Sequence, residues 1–435
     1  MRKVNKFGHL EIGGCDLVEL KKKFGTPLYI LDEDLIRSNC QTYRRSLEKI
    51  YPQSEIIYAG KANLSLGLCK VMSKEGLSLD VSSGGELYTA LKAKFPLKKI
   101  YFHSNNKSED ELKMALKNNI GRIVVDNSYE LSLLSNLAQK MKRKANILLR
   151  LTPGVKPKTH TYIQTGQIDS KFGLGIEEGE ALRLTKQALD INNINLCGIH
   201  CHIGSQILKL RPFLIAAETM VDFLKEIKDE TGRTLKELNL GGGLGIRYTR
   251  EDSPPSISKY AKAIAREVIK RCRKYNLDLP RLMVEPGRSI VGEAGTTLYK
   301  IGSIKDIPNI RRYVAIDGGM TDNPRPALYS ARYEAILANK ARRRKKEIVT
   351  IVGKCCESGD VLIWDIKLPR IESGDLLAVL STGAYNYSMA SNYNRLPRPA
   401  TVLVRGGRAK LIVRRETYED IIKCDLNRDS DHFLS

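Results

Sequence analysis

The sequence predicts an α/β fold: a parallel sheet closed into a (β/α)8 TIM-type barrel, followed by a second, mainly β domain. Three observations carry this. Eight short apolar runs alternate with stretches of helical periodicity. Each run delivers a polar or glycine residue at its carboxyl end. After Arg288 the helical stretches thin out and turn-punctuated β-type runs replace them.

Taken in order, the runs lie at 56–59, 77–79, 100–102, 123–125, 147–149, 196–199, 238–240 and 282–284. They lead to Lys61, Asp80, His103, Asp126, Arg150, His200 with His202, Gly241 and Glu285. Helical periodicity is clearest at 86–94, 109–117, 129–140 and 257–275. In a closed barrel the strand ends and the loops after them build the site. An open doubly wound sheet shares the alternation. However, Gly241-Gly242-Gly243-Leu244-Gly245-Ile246 puts Ile where a dinucleotide fingerprint needs its last Gly. The later β-type runs are 297–301, 313–316, 348–352, 377–380, 401–404 and 411–413, separated by turns such as Asp317-Gly318-Gly319 and Arg405-Gly406-Gly407. Another β-type run at 27–31 is expected to pair with them. The expected organisation is an N-terminal segment, 1–35, joining the β domain, a barrel over 36–286, and the β domain over 287–435, with a tight interface and no flexible linker.

Composition narrows the function classes. Lys and Arg number 72 against 49 Asp and Glu, a formal net charge of +23, with basic runs at 140–144 and 340–346. Basic residues are spread along the whole chain, and neither a nucleic-acid motif nor an interleaved aromatic platform accompanies them, so they read as solvated faces with no nucleic-acid partner. Nine cysteines without a C-x-x-C pair indicate neither a disulfide framework nor a zinc ribbon, and suit a reducing cytoplasm. No apolar signal region follows Met1, and nowhere do eighteen apolar residues run together, so no membrane span is expected.

Several strand ends carry chemistry. Lys61, in Tyr58-Ala59-Gly60-Lys61-Ala62-Asn63, reads alone as a loop lysine. At a buried strand end, desolvation would lower its pKa, as a Schiff-base lysine needs. The glycines Gly241, Gly242 and Gly243 follow strand seven, where backbone N–H groups can converge on an anion, although a plain turn reads the same way. Glu285, in Glu285-Pro286-Gly287-Arg288, could hold a cofactor ring nitrogen protonated or pair with Arg288. His200 and His202 share a strand face. Metal binding, a ring packed on a flat cofactor, and a hydrogen-bonded core histidine all fit them, but no third metal ligand is evident, so no metal is expected.

Together, residues 58–63, Asp80-Val81-Ser82-Ser83-Gly84-Gly85-Glu86, His200-Cys201-His202-Ile203-Gly204-Ser205-Gln206, the triple glycine and Glu285 to Arg288 resemble the fold-type III pyridoxal-phosphate (PLP) decarboxylases. Arg325-Pro326-Ala327-Leu328-Tyr329, Cys356-Glu357-Ser358-Gly359-Asp360, Gly383-Ala384-Tyr385, Ser391-Asn392-Tyr393-Asn394 and Arg398-Pro399 are similar to the diaminopimelate decarboxylase branch. The resemblance runs from about residue 25 to about 419 and implies decarboxylation of meso-2,6-diaminopimelate to L-lysine and CO2, the last step of lysine biosynthesis. It makes Lys61 the cofactor lysine, His202 the ring partner and Glu285 the holder of the ring nitrogen. It places Asp80, Ser205, Gly241, Gly242, Gly243, Gly287, Arg288 and Tyr385 around the cofactor. Arg288, Arg325, Tyr329, Glu357 and Tyr385 would meet the substrate, with the arginines and Tyr329 at its distal carboxylate. Cys356, as proton donor, and Glu357 would come from the second subunit of a homodimer, with Lys171 and Asp360 paired across it.

This chain departs from the resemblance at Gly60, Arg247 and Ala331-Arg332-Tyr333, and Gly60 is expected to loosen the end of its strand. A decarboxylase of ornithine, arginine or D-lysine is the competing enzyme reading. Its substrate lacks a second carboxylate, so Arg325 would repel its cationic end. An alanine racemase would want a weaker electron sink than Glu285 provides. An inactive regulatory homologue should have lost Lys61 or Cys356, and both are present.

Overall fold

The computed structural model describes residues 2–155 and 171–426. The barrel strands are Ser54–Ala59, Ser78–Val81, Ile100–Phe102, Arg122–Val125, Ala145–Thr152, Ile194–Cys201, Glu237–Asn239 and Arg281–Val284. Each lies parallel to the next, and Arg281–Val284 pairs in parallel with Ser54–Ala59, which closes the ring. Each of the eight apolar runs overlaps one of these strands, with Leu77 and Leu240 one residue outside theirs. Alternation then sorts the side chains. Ile57, Tyr101, Val124, Leu148 and Met283 pack together inside the barrel. Ile56, Tyr58, Ile123, Leu149 and Val284 point outward, into the layer beneath the helices.

The helices follow the same logic. Ile257–Lys274 is capped by the Ser256 side chain and buries Tyr260, Ala261, Ile264, Ala265, Val268 and Cys272 along one stripe. Glu109–Lys117 opens with a capping box between Ser108 and Glu111. Among the described residues, no helix is long and apolar enough to cross a membrane.

The β-rich part is a sheet ordered Val361–Leu368, Glu347–Val352, Arg311–Ile316, Gly295–Ile307, Leu28–Asp32, Ala400–Arg405, Arg408–Val413. Leu28–Asp32 is buried along its whole length, antiparallel to Gly295–Ile307 and parallel to Ala400–Arg405. The N-terminal run thus occupies a central position in this sheet. Val361–Leu368 and Ala335–Leu337 were not legible as strands. The first carries exposed Trp364 and Asp365 and loses register twice against Glu347–Val352, which breaks the apolar alternation.

The two parts lock together beside Lys61. The Tyr385 N–H donates to the Ala62 carbonyl at 2.8 Å, and Asn63 Nδ2 donates to the Gly383 carbonyl at 2.9 Å. A loop of the β-rich part therefore fixes the turn that carries the lysine.

Candidate active site

The carboxyl ends of the barrel strands converge on a buried polar cluster. Lys61 stands half-buried in the single turn Gly60–Ala62 that ends the first strand. Gly60 explains itself here. A Cβ at that position would lie 2.7 Å from the Asp80 carbonyl oxygen, so glycine lets the two strand ends touch. The departure expected to loosen the strand tightens it. Burial alone would lower the Lys61 pKa, but Asp80, then Tyr385 and Glu285, outweigh it and hold the amine above its ordinary value. The expectation of a depressed lysine pKa is therefore reversed in this chain, because two carboxylates share its pocket.

Glu285 is nearly inaccessible and closely surrounded. Its Oε1 accepts from Asn239 Nδ2 at 2.7 Å, and its Oε2 lies 3.2 Å from His200 Nε2. His103 Nε2 is 2.9 Å from Oε1, aligned too poorly for a hydrogen bond but close enough to act through charge. Burial would raise the Glu285 pKa, yet the two histidines hold the carboxyl well below the usual range. The His103 and His200 rings meet edge to face, 4.8 Å between centroids. Burial pushes His200 down to about 4, so its imidazole is neutral near pH 7. Asp80 is fully buried, and neither carboxylate oxygen has a hydrogen-bond partner; the nearest cation-capable atom, His103 Nε2, is 4.0 Å away. Burial raises its pKa.

The triple glycine does something other than present three free donors. Gly241 N–H donates to Asn239 Oδ1 at 2.9 Å, and Gly242 N–H donates to His202 Nδ1 at 3.1 Å. The loop thereby orients the amide that holds Glu285 and the ring of His202. Glycine is required because a Cβ on Gly241 or Gly242 would sit 2.3 Å from the Cys201 carbonyl or 2.1 Å from the Glu285 carbonyl. Burial, with Lys61 and Arg150 nearby, drives the His202 pKa far down and keeps its ring neutral.

Arg288 and Arg325 form the other end of the site, each 5% exposed. Arg288 donates through Nη2 to Ser205 Oγ at 2.9 Å and through Nη1 to the Tyr248 hydroxyl, and lies 4.7 Å over the Tyr385 ring. Arg325 Nη1 donates to the Tyr333 hydroxyl at 2.6 Å, while its Nε has no partner. Burial pushes the Tyr333 phenol up to about 12, so its hydroxyl stays protonated. Tyr329 is half-buried one helical turn beyond Arg325, in the helix Arg325–Tyr329. Gly287, at the foot of Arg288, leaves no room for a Cβ, which would approach Ala62 Cβ to 2.9 Å.

These positions can hold PLP. A lysine amine flanked by carboxylates, a deprotonated buried glutamate, an oriented neutral imidazole, an orphaned buried aspartate, and two buried guanidiniums without a carboxylate partner among the described residues are the donor and acceptor set that such a group needs.

Cys356 and Glu357 are exposed on a loop of the β-rich part, outside this buried cluster. Asp360, expected to pair with Lys171 of another subunit, is buried in its own chain. Its oxygens accept from the Met320 and Cys355 N–H groups at 2.7 and 2.9 Å. Lys171 is exposed, its ammonium 5.1 Å over the Phe172 ring. The other departures resolve as well: Arg247 and Arg332 are exposed, Arg332 pairing with Glu251 at 2.6 Å, while Tyr333 is buried on Arg325. His103, Asn239, Tyr248 and Tyr333 were given no role from the sequence. Only His103 had a linear signal, its position at a strand end.

Residues 33–292 match the family model of the pyridoxal-dependent decarboxylases, pyridoxal binding domain. The chain is 54% identical to diaminopimelate decarboxylase of Bacillus methanolicus, covering 95% of this chain and 96% of that one. It is 52% identical to that of Bacillus subtilis, over 97% and 96%. The crystal structure of diaminopimelate decarboxylase from M. jannaschii with L-lysine superposes with a TM-score of 0.91, at 40% identity and 98% coverage of both chains.

Proposed function

The chain belongs to the diaminopimelate decarboxylases among the pyridoxal-dependent decarboxylases, and from that premise we propose how its own residues release CO2 from meso-2,6-diaminopimelate. It is a carboxy-lyase of the last step of lysine biosynthesis, with L-lysine as its product. The observation that carries the substrate class is the pair of buried guanidiniums, Arg288 and Arg325, which have no carboxylate partner among the described residues and share a site with Lys61 and Glu285 through Tyr385. Uncompensated buried cations favour an anionic ligand end and repel the cationic tail of ornithine or arginine.

PLP, when bound, supplies a protonated ring that draws off the electron pair left as CO2 departs. Lys61 would be the amine that anchors it, and Glu285, kept deprotonated, would hold the proton of its ring nitrogen. His202, fixed by Gly242 N–H, would be its ring partner. Asp80 and Gly287 would line its wall. Ser205, Arg288, Tyr385 and the part of the Gly241–Gly243 loop not engaged with Asn239 and His202 would hold the phosphate end. Arg325, Tyr329 and Arg288 take the distal carboxylate of the substrate. As the bond to CO2 breaks, its electron pair stays at the α carbon, and Cys356 Sγ gives a proton to that carbon while Glu357 holds the neighbouring ammonium. Both stand in solvent on this chain, which supports a homodimer in which each subunit completes the other's site. The pyridoxal-domain match supports a barrel unit at 36–286, with 1–35 and 287–435 forming the β-rich unit. All nine cysteines are free thiols, in keeping with a cytoplasmic enzyme.

Purified protein loaded with PLP should release CO2 from meso-diaminopimelate and not from ornithine, arginine or lysine. Turnover of one of those with none on diaminopimelate would overturn the substrate. Borohydride should fix the cofactor to the wild type and not to Lys61→Ala; labelling of the variant would overturn the lysine assignment.

A further inference from the structure

Arg288 and Arg325 are two like charges buried side by side without a carboxylate within ion-pair distance among the described residues, and something in the protein must hold them in register. Two tyrosines do. The Tyr248 hydroxyl accepts from Arg288 Nη1, while the face of the same ring lies 4.6 Å from Arg325 Cζ. One side chain therefore offers an oxygen to one cation and its π face to the other. Tyr333 crosses Tyr248 edge to face, 5.3 Å between centroids at 85°, and its hydroxyl accepts from Arg325 Nη1 at 2.6 Å.

The two guanidiniums are left in different states. Arg288 has all three nitrogens engaged, Nε and Nη2 on Ser205 and Nη1 on Tyr248. Arg325 is held at Nη1 alone, and its buried Nε has no acceptor. A planar fork with one corner pinned and another unsatisfied is a ready partner for a carboxylate.

We propose that Tyr248 and Tyr333 are positioning residues that space the two guanidiniums and leave the unpaired edge of Arg325 to join Arg288 on the distal carboxylate of the substrate. This rests on the substrate reading above. It adds that specificity is set by two phenols that do not touch the substrate.

The test uses PLP-loaded, full-length Tyr333→Phe and Tyr248→Phe, which remove only hydroxyls. L-Lysine retains the distal carboxylate, whereas cadaverine has none. In both variants the KM for meso-diaminopimelate and the inhibition constant of L-lysine should rise together by about tenfold, the scale of a hydrogen bond to a charged group. Inhibition by cadaverine should not change, and kcat should stay within about threefold, because no group at the reacting carbon is altered. A purely structural role would weaken both inhibitors alike, and that result overturns the proposal. So does a KM and an L-lysine constant within about twofold of wild type. Loading is read from cofactor absorbance. If neither variant loads, the tyrosines hold the fold rather than the spacing, and the proposal fails. Lack of wild-type turnover on diaminopimelate would instead strike the substrate reading, and it is measured first.

Discussion

Replacing Glu285 by Gln keeps the volume and the acceptor for Asn239 and removes the charge. In the wild type that carboxylate is 4% exposed, accepts from Asn239 at 2.7 Å and sits 2.9 and 3.2 Å from the Nε2 atoms of His103 and His200. A hydrogen bond from a protonated ring nitrogen to the charged carboxylate contributes about 1.5–3 kcal/mol. At roughly 1.4 kcal/mol per decade, that alone is about a ten- to hundredfold loss. The ring is also a weaker electron acceptor once its proton is not held, so kcat/KM for CO2 release should fall at least about a hundredfold at saturating PLP. Stability adds an independent reading. The folded Glu285 pKa is depressed, so its contribution is present above the unfolded carboxyl pKa, near 4.5, and is lost as pH falls through the folded value. The wild type should therefore exceed Glu285→Gln in urea midpoint at pH 7, with the gap narrowing in acid. A variant within about threefold of wild-type kcat/KM, or a gap that widens in acid, would refute the role of the charge.

Three further outcomes follow from other parts of the molecule. His200 is held at about 4 by burial, below its unfolded value, so the unfolded chain binds more protons between about pH 4 and 6.5. Its contribution to stability is whole above that window and is lost as pH falls through it, and His200→Asn should flatten this slope of thermal unfolding against pH, a change on the order of 3 kcal/mol. At the opposite end of the barrel, Arg122 meets Glu237 through two parallel bonds of 2.6 and 2.8 Å, far from the cluster at the strand ends. Arg122→Ala leaves the buried Glu237 carboxylate only Arg281, 3.8 Å away, and should cost up to about 3 kcal/mol in urea unfolding, with kcat at 25 °C unchanged. Finally, mixing Lys61→Ala with Cys356→Ala subunits under conditions of exchange should restore about one quarter of wild-type activity, because random pairing puts half the dimers in the mixed state with one intact site each; no recovery would place Cys356 outside a shared site.

What could be read from the sequence divides along a physical line. The barrel was legible because all eight of its short parallel strands, buried on both faces, write themselves as apolar runs, and because closure brings residues as distant as Lys61 and Glu285 to one mouth whatever lies between them. Leu28–Asp32 was legible as a strand for the same reason. Val361–Leu368 was not, since its bulges and its exposed Trp364 remove the alternation. Arg325, Tyr329, Tyr385, Cys356 and Glu357 lie on other elements and are marked only by the resemblance, whereas Lys61, Asp80, His202 and Glu285 stand at or just past strand ends and announce themselves. Groups that act through another side chain do not, because their partner is defined only in space. Asn239 reads as the last residue of an ordinary strand until its amide is seen between Gly241 N–H and Glu285. Tyr333 reads as part of a sequence departure until its hydroxyl is found on Arg325. Gly60 was misread for a related cause: removal of a side chain looks like loss of packing, but where the neighbour is the Asp80 carbonyl, the missing Cβ is what allows contact. The pKa of Lys61 was misjudged likewise, because burial was weighed without the two carboxylates buried with it. For Gly60 and Lys61 alike, the environment is not a medium but a few particular neighbours, the Asp80 carbonyl in one case and the Asp80 and Glu285 carboxylates in the other.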